Sequence, residues 1–295
     1  MLAFLTNAFY AAMSFIISLL CMGPWALFKP PAAPVVPAAR DKLTQVITVM
    51  SFNVWMQKSS LDQRLNGVVR TILKENPDSF GLQEAHKDWR DALLKELGDK
   101  YAMACARGRL AESGEGTPIF YRKDKYELVK EELFWLSPWP GRPTFGFGAT
   151  LPRVAGYAVL RDKKTGFVYA HFNSHFDHMS GNARTNSAWM IAEGVNVLGL
   201  PAVFTADVNA APDTQPTQYL ETGGLTDLRR AARVTDNDVT FHGYADSPLT
   251  GTVIDYIYAN HYMRSAKEFK VIRDKYDGMY PSDHFAICAT LTLAN

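Results

Sequence analysis

Cysteine is scarce in this sequence. Cys21, Cys105 and Cys288 stand far apart in a chain of 295 residues, which excludes a disulfide framework and a zinc-ligand spacing of thiolates. Isolated cysteines pack as small hydrophobes, so buried free thiols are expected at Cys105 and Cys288, with a single bridge between them as the alternative. An excess of charge is missing as well. The 31 lysines and arginines face 30 acidic residues, so the chain does not advertise the basic face that binders of long nucleic acid carry. The short clusters Lys123 with Lys125, Lys163-Lys164, and Arg229-Arg230 with Arg233 read as solvated surface. Repeats of solenoid period are absent, and beyond Arg40 there is no proline-, glycine- or serine-rich run that would separate two domains.

Charge is missing altogether from Met1 to Phe28, and the run Ala8 to Phe28 is about the ~20 apolar residues that cross a bilayer core. Residues 29–40 follow as a proline- and alanine-rich stretch, the composition of an extended spacer. Residues 1–28 are therefore expected to be a signal peptide or a membrane anchor. The small residues Ala32 to Ala39 offer cleavage points, whereas the lack of basic residues before the apolar run favours retention. The expected location is secreted or periplasmic, or membrane-anchored with open topology. Residues 41–295, in a chain with 47% hydrophobic and 21% charged residues, suit one folded domain, expected to be a monomer.

Within that domain Gln45 to Asn53 is too densely apolar for a half-exposed strand and predicts one covered on both faces. Ser60 with Gln63 has the pattern of a capping box. Leu61, Leu65, Val68, Val69, Ile72 and Leu73 then repeat at helical spacing until Pro77. A strand over Ser79 to Gln83 and a helix around Trp89 to Leu97 come next. The pattern then turns to strands: Tyr101 to Arg107, Gly116 to Arg122, Tyr126 to Glu131, and a hairpin of Val154 to Arg161 with Gly166 to Asn173. A helix from about Asn182 to Leu198, a strand over Pro201 to Thr205, and closing strands at Thr252 to Ala259, Phe269 to Arg273 and His284 to Leu293 complete the reading. Such a mixture packs as sheets flanked by helices.

The strands keep ending in polar residues: Asn53, Glu84, His175 with Asp177, Asp207 with Asn209, Asp255, and Asp283 with His284. Any one of these alone is most simply a turn or cap residue. Together, at the ends of buried strands where unpaired polar groups cost several kcal/mol each, they point to a site. Glu84, Asp207, Asn209 and Asp283 are hard oxygen donors that suit Mg²⁺ or Mn²⁺ rather than zinc. Such a cation would polarise a phosphoryl oxygen, while His284 held by Asp255 would supply a base or stabilise charge.

The segments Ser51-Phe52-Asn53-Val54-Trp55, Gly81-Leu82-Gln83-Glu84-Ala85, Asn173-Ser174-His175-Phe176-Asp177-His178, Thr205-Ala206-Asp207-Val208-Asn209-Ala210, Ile254-Asp255-Tyr256-Ile257 and Pro281-Ser282-Asp283-His284, in this order, resemble the endonuclease/exonuclease/phosphatase superfamily. The resemblance runs from about Gln45 to the C-terminus. It implies a four-layered α/β sandwich with two mixed β-sheets packed face to face and helices outside. It also implies metal binding by Glu84 and Asp283, with Asn53 beside them or orienting the phosphate. Asp207 would orient or deprotonate the attacking water. Asn209 would hold phosphate or metal, His175 would contact the phosphate near the leaving group, and Asp255 would orient His284. Phe134-Trp135-Leu136-Ser137, Gly146-Phe147-Gly148-Ala149 with Arg153, and Thr240-Phe241-His242-Gly243 are similar to a secreted or membrane-linked branch of undefined substrate.

Arg153 and Asp177 are the further substrate-binding candidates, Arg184 a brace for the loop after Asp177, and Trp135, Trp139, Phe145 and Phe147 a lid, a lipid-facing rim or plain packing. The function expected is Mg²⁺- or Mn²⁺-dependent hydrolysis of a phosphate ester, as a phosphodiesterase or phosphatase on a small molecule or lipid headgroup. A nuclease, which needs a basic groove and stacking side chains, is the second reading. A catalytically inert binding module on the same scaffold is the third.

Overall fold

The computed structural model describes residues 45–244 and 251–293. The leader 1–28, with Cys21, and the spacer 29–40 lie outside the described residues. Among those described, no helix is long and apolar enough to cross a membrane.

Alternation within the strands decides the layering. Strand β1 (Gln45–Asn53) runs parallel to β2 (Ser79–Gln83) and antiparallel to β13 (Ala286–Leu293). With β3 (Tyr101–Ala104), β4 (Ile119–Arg122), β10 (Val234–Thr235) and β12 (Ala266–Ile272) they form a seven-stranded sheet in the order β10-β12-β13-β1-β2-β4-β3. The second sheet has six strands. These are β5 (Tyr126–Trp135), β6 (Val154–Asp162), β7 (Val168–His175), β8 (Ala202–Asp207), β9 (Leu225–Asp227) and β11 (Asp255–Asn260), in the order β5-β6-β7-β8-β11-β9.

One set of alternating side chains, including Ile47, Val49 and Ile119, meets Leu160, Tyr169, Val203 and Ile257 between the sheets. The other set faces helices. Met50, Phe52, Phe80 and Leu82 pack under α1 (Leu61–Glu75) and α2 (Lys87–Leu97) through Val68, Ile72, Trp89 and Leu93. Phe172, Phe204 and Tyr258 pack under α3 (Gly181–Leu198) and α4 (Gln215–Thr222) through Ile191, Val195 and Leu220. These are the four layers that the resemblance implies. A one-turn helix, α5 (Leu228–Ala231), and a 3-10 turn at Lys58–Ser60 complete the described elements.

Toward one end of the intersheet layer the apolar contacts give way to a polar seam. Tyr169 Oη donates to Ser79 Oγ (3.0 Å), and the His171 ring lies between Ser79 Oγ and Thr205 Oγ1, 2.8 Å from each. Thr205 Oγ1 and Gln83 Nε2 both donate to Asn173 Oδ1, at 3.0 and 2.7 Å, and Gln83 Nε2 also reaches Ser51 Oγ at 3.1 Å. The seam crosses from one sheet to the other at residues that alternate with the apolar core positions. Burial without a counter-charge holds His171 neutral, its pKa pressed down to about 3.

Several expectations are corrected. Ser60 makes no capping hydrogen bond to its helix; its hydroxyl instead accepts from Arg64 Nε at 2.8 Å, so the pattern with Gln63 is not a capping box. The buried stripe of α1 includes Arg64, Gly67 and Thr71, while Leu73 is exposed. The strand expected to reach Arg107 ends at Ala104, because Cys105 turns the chain at φ 56°. The strand expected to end at Glu131 continues to Trp135. Cys105 and Cys288 are buried and free, so the bridge is excluded. They pack in different layers, Cys105 between the sheets and Cys288 under the first helical layer.

Candidate active site

The C-terminal ends of β1, β2, β7 and β8 lie side by side with the start of β11 and the turn before β13. That placement brings the polar strand ends together. Asp207 Oδ2 sits in the middle, 3.0 Å from Asn53 Nδ2, 3.5 Å from His175 Nε2 and 3.8 Å from His284 Nε2. Each imidazole is in turn held by a buried carboxylate. His284 Nδ1 lies 2.9 Å from Asp255 Oδ2, and His175 Nδ1 lies 3.2 Å from Glu115 Oε1. Asn209 holds the far side of the His175 ring. Its amide Nδ2 donates to Phe176 O at 3.1 Å and lies 2.9 Å from His175 Nε2, while Nδ1 faces Glu115.

Local backbone geometry aims these groups. Glu84 and Asn209 sit at φ 59° and 52°, left-handed positions that turn the chain just past β2 and β8. Asp207 Oδ1 accepts from Asn209 N at 2.9 Å. Thr240 Oγ1 accepts from Ile254 N and Asp255 N, both at 3.0 Å, and so fixes the start of β11. The Phe241 ring leans on His284 with centroids 4.8 Å apart. Ser282 Oγ donates to Asn53 O at 2.7 Å, which ties the turn carrying Asp283 to the end of β1.

Electrostatics divide the roles. Burial favours a neutral His284, but Asp255, then Asp207 and Asp283, outweigh it and push the ring up to about 10, so it carries positive charge. Burial, with Asp255 adding to it, raises Asp207 against the pull of the two histidines. Burial also works against ionised Glu115. The hydrogen bond and charge of His175, then Arg109 and Arg153, overcome it and hold that carboxyl down at about 2. Asp283 is pushed up to about 6 by burial and by the neighbouring Glu84 charge, against His284.

The donor chemistry fits a divalent cation. Glu84 and Asp283 are two carboxylates close enough to repel, in partly buried surroundings, which is the arrangement a cation relieves. Beside them, Asp207, Asp255 and His284 bring ligand-type atoms within 4.8 Å of one another. Asp255 Oδ1 is buried without a hydrogen-bond partner, an acceptor that a cation or a water satisfies.

Eight of the sequence candidates thus converge: Asn53, Glu84, His175, Asp207, Asn209, Asp255, Asp283 and His284. Asn53 stands in that set with its Oδ1 accepting from Trp55 N at 2.9 Å and its Nδ2 donating to Glu84 and Asp207 at 3.2 and 3.0 Å. Two assignments need correction. Asp177 does not reach a substrate. Fully buried, it accepts from Thr150 N and Oγ1 at 3.0 and 2.9 Å and from Met179 N and Ser180 N at 3.0 and 2.8 Å, bracing the 136–153 loop and the start of α3. Arg153 is buried behind His175. It lies 3.0 Å from His178 Nδ1, 3.6 Å from Asp177 and 3.7 Å from Glu115. Its charge acts on those neighbours.

Arg184 does brace the loop after Asp177, donating to Asp177 O at 2.8 Å. The aromatic set divides: Trp135 is buried and Phe147 packs on the core, while Trp139 and Phe145 stay exposed.

Glu115 is the residue the sequence did not reveal. It sits in a polar, glycine-containing loop with nothing to separate it from solvated surface, and only folding brings it under His175. Replacement by glutamine keeps the size and removes the charge. Glu115→Gln is expected to lower kcat about 10-fold to 100-fold with a much smaller change in KM, because His175 loses the carboxylate charge that faces its Nδ1. Steady-state kinetics on the wild type and variant check this, and an unchanged kcat would show that His175 needs no such partner.

Comparison with known proteins bears on the family and the fold. Residues 50–284 match the sequence model of the Endonuclease/Exonuclease/phosphatase family. Among solved structures, an endonuclease/exonuclease/phosphatase family protein from Bacteroides thetaiotaomicron superposes with TM-score 0.81 at 29% identity, covering 85% of this chain and 99% of that one. A mannosyl-6-phosphatase from the same organism gives TM-score 0.79 at 29% identity, covering 83% and 99%. TDP2 from D. rerio, solved with a single-strand DNA product, shares the fold at 17% identity with TM-score 0.67, covering 84% and 99%. A curated relative, CCR4-NOT transcription complex subunit 6-like-B of Xenopus laevis, is 22% identical over 83% of this chain and 54% of its own length, so the chain spans about half of it. The match over residues 50–284, with the fold and the converging strand ends, establishes that the chain belongs to the endonuclease/exonuclease/phosphatase family.

Proposed function

We propose that this protein hydrolyses a small-molecule phosphate ester with the help of Mg²⁺ or Mn²⁺, a sugar phosphate being the first class to test. The observation that carries the reading is the pair of imidazole–carboxylate couples, His284 with Asp255 and His175 with Glu115, that face Asp207 from two sides. Asp207 positions the attacking water and takes up its proton. The positively charged His284 offsets charge on the phosphoryl oxygens, and His175, steadied by Asn209 and Glu115, lies toward the leaving oxygen. Glu84 and Asp283 would hold the cation, which polarises the phosphoryl group when bound. Support for a small substrate comes from the balanced charge of the chain and from its likeness to a mannosyl-6-phosphatase. The apolar leader supports delivery to a membrane or beyond it.

The test is turnover by the full chain, with Mg²⁺ or with EDTA, of mannose 6-phosphate, nitrophenyl phosphate, bis-nitrophenyl phosphate, sphingomyelin and single-stranded DNA. Phosphomonoester hydrolysis that EDTA lowers about a hundredfold or more is the expected result, since a divalent cation stabilises transition-state charge by several kcal/mol. Preference for DNA with a steep salt dependence would replace this reading by the nuclease. Turnover that EDTA leaves unchanged would remove the cation from it.

A further inference from the structure

Arg64 is an arginine where a helix facing a sheet ordinarily carries an apolar side chain. It is 1% exposed. All five of its N–H groups are used. Nη1 donates to Val54 O (2.5 Å) and Pro281 O (3.1 Å), Nη2 to Trp55 O (2.9 Å) and Gln57 O (3.1 Å), and Nε to Ser60 Oγ (2.8 Å). The plane of the guanidinium is flanked by Trp55 and Trp89, with ring centroids 5.0 and 4.9 Å from Cζ.

None of the four carbonyls belongs to its own helix. Three lie within four residues after Asn53, and the fourth precedes Asp283 by two residues. The loop that Arg64 gathers also supplies Met56 N, which donates to Glu84 Oε2 at 2.8 Å. Pro281 leads into Ser282, whose hydroxyl grips Asn53 O. One side chain therefore connects the segment that holds Glu84 to the segment that carries Asp283, and its positive charge acts on both carboxylates. An arginine kept only to anchor the helix would have partners on one neighbouring element. This one spans two loops, the one after Asn53 and the one before Asp283.

We infer that Arg64 is the positioning residue that sets the spacing of Glu84 and Asp283, and through it the affinity of the site for its divalent cation. The inference rests on the metal assignment made above. Lysine cannot reproduce the fork: it has three donors on a single point and no plane to lie between the two tryptophans.

The experiment is Mn²⁺ titration of the full chain followed by electron paramagnetic resonance of the free ion, on the wild type, Glu84→Gln, Arg64→Lys and Ser60→Ala, with thermal melting in EDTA alongside. Arg64→Lys is expected to weaken Mn²⁺ binding about tenfold or more, the usual scale for groups that orient metal ligands, and Ser60→Ala about twofold to threefold. Raising Mn²⁺ should restore most of the activity of Arg64→Lys, which a merely structural defect would not allow.

If Arg64→Lys does not fold, Ser60→Ala decides, because Ser60 is half-buried at the loop and, among the described residues, its hydroxyl bonds to Arg64 and Gln57 O alone. Mn²⁺ binding that depends on Glu84 but is unchanged in the folded Arg64 and Ser60 variants overturns the inference and leaves the proposed function standing. Binding that is equally strong in Glu84→Gln, or absent from the wild type, removes the metal assignment and the inference with it.

Discussion

His284→Ala is expected to lower kcat about a thousandfold while the protein still folds. The argument is electrostatic. His284 is buried, its Nδ1 is bound to Asp255 at 2.9 Å, and its Nε2 points toward Asp207 at 3.8 Å. Three carboxylates outweigh the cost of burial and keep the ring charged, and in the proposed reaction that charge stands where phosphoryl oxygens gain negative charge. Alanine removes that charge and leaves Asp255 facing a gap.

The loss should fall on kcat, because the charge matters most in the transition state, and KM should move by only a few-fold. Asp255→Asn in parallel separates the two contributions, since it keeps the imidazole and removes the group that raises its pKa. Circular dichroism and steady-state kinetics on the same samples make the comparison. A folded His284→Ala protein within tenfold of wild-type kcat would dismiss His284 from the chemistry.

Gly81→Ala is expected to destabilise the protein by about 3 kcal/mol or more, an unusually large cost for one methyl group. Gly81 lies in β2 on the face turned toward the other sheet. A Cβ there would overlap Thr205 Oγ1 and Asn173 Oδ1 well inside van der Waals contact. Neither atom is free to retreat. Thr205 Oγ1 is engaged with His171 and Asn173, and Asn173 Oδ1 accepts from Gln83 and Thr205. The methyl group would force the sheets apart or break buried hydrogen bonds, each of which costs about 1–3 kcal/mol when a buried group is left unpaired. For a domain of this size that is a fall of about 6–12 °C in melting temperature, read by calorimetry. A fall of less than 2 °C would show that the seam can rearrange.

The sequence made the strand ends legible because their polarity contradicts the apolar runs that lead into them. Asn53, Glu84 and Asp207 each sit where an apolar run stops, and Asp255 and His284 where one begins, and that contrast is visible in one dimension. Glu115 and Arg64 carry no such contrast. The first looks like any loop carboxylate, and the second like a charged residue on the solvent side of an amphipathic helix. Their partners lie in other segments, so only the fold reveals what they hold.

Asp177 misled for the opposite reason. It stands two residues after His175 and has the right chemistry, yet strand β7 ends at His175 and the chain turns, leaving Asp177 to bind backbone and Thr150. The helix α4 and the short strand β9 had no clear sequence pattern, because one turn-rich helix and three residues of strand carry too little periodicity to separate from loop.

The polar seam between the sheets has a bearing on how such a protein can change its substrate. Asn53, Glu84, Asp283 and His284 are carried by one sheet and its turns, and His175, Asp207, Asn209 and Asp255 by the other. Apolar surfaces can slide over one another by a fraction of an ångström at little cost. Hydrogen bonds such as Gln83 to Asn173 and His171 to Ser79 are directional and act as dowels that fix the alignment of the two halves. The reacting groups are thereby insulated from the loops around them. The 136–153 loop, braced at Thr150 by Asp177 and with Trp139 and Phe145 exposed, can be lengthened or rewritten while the polar strand ends stay in register.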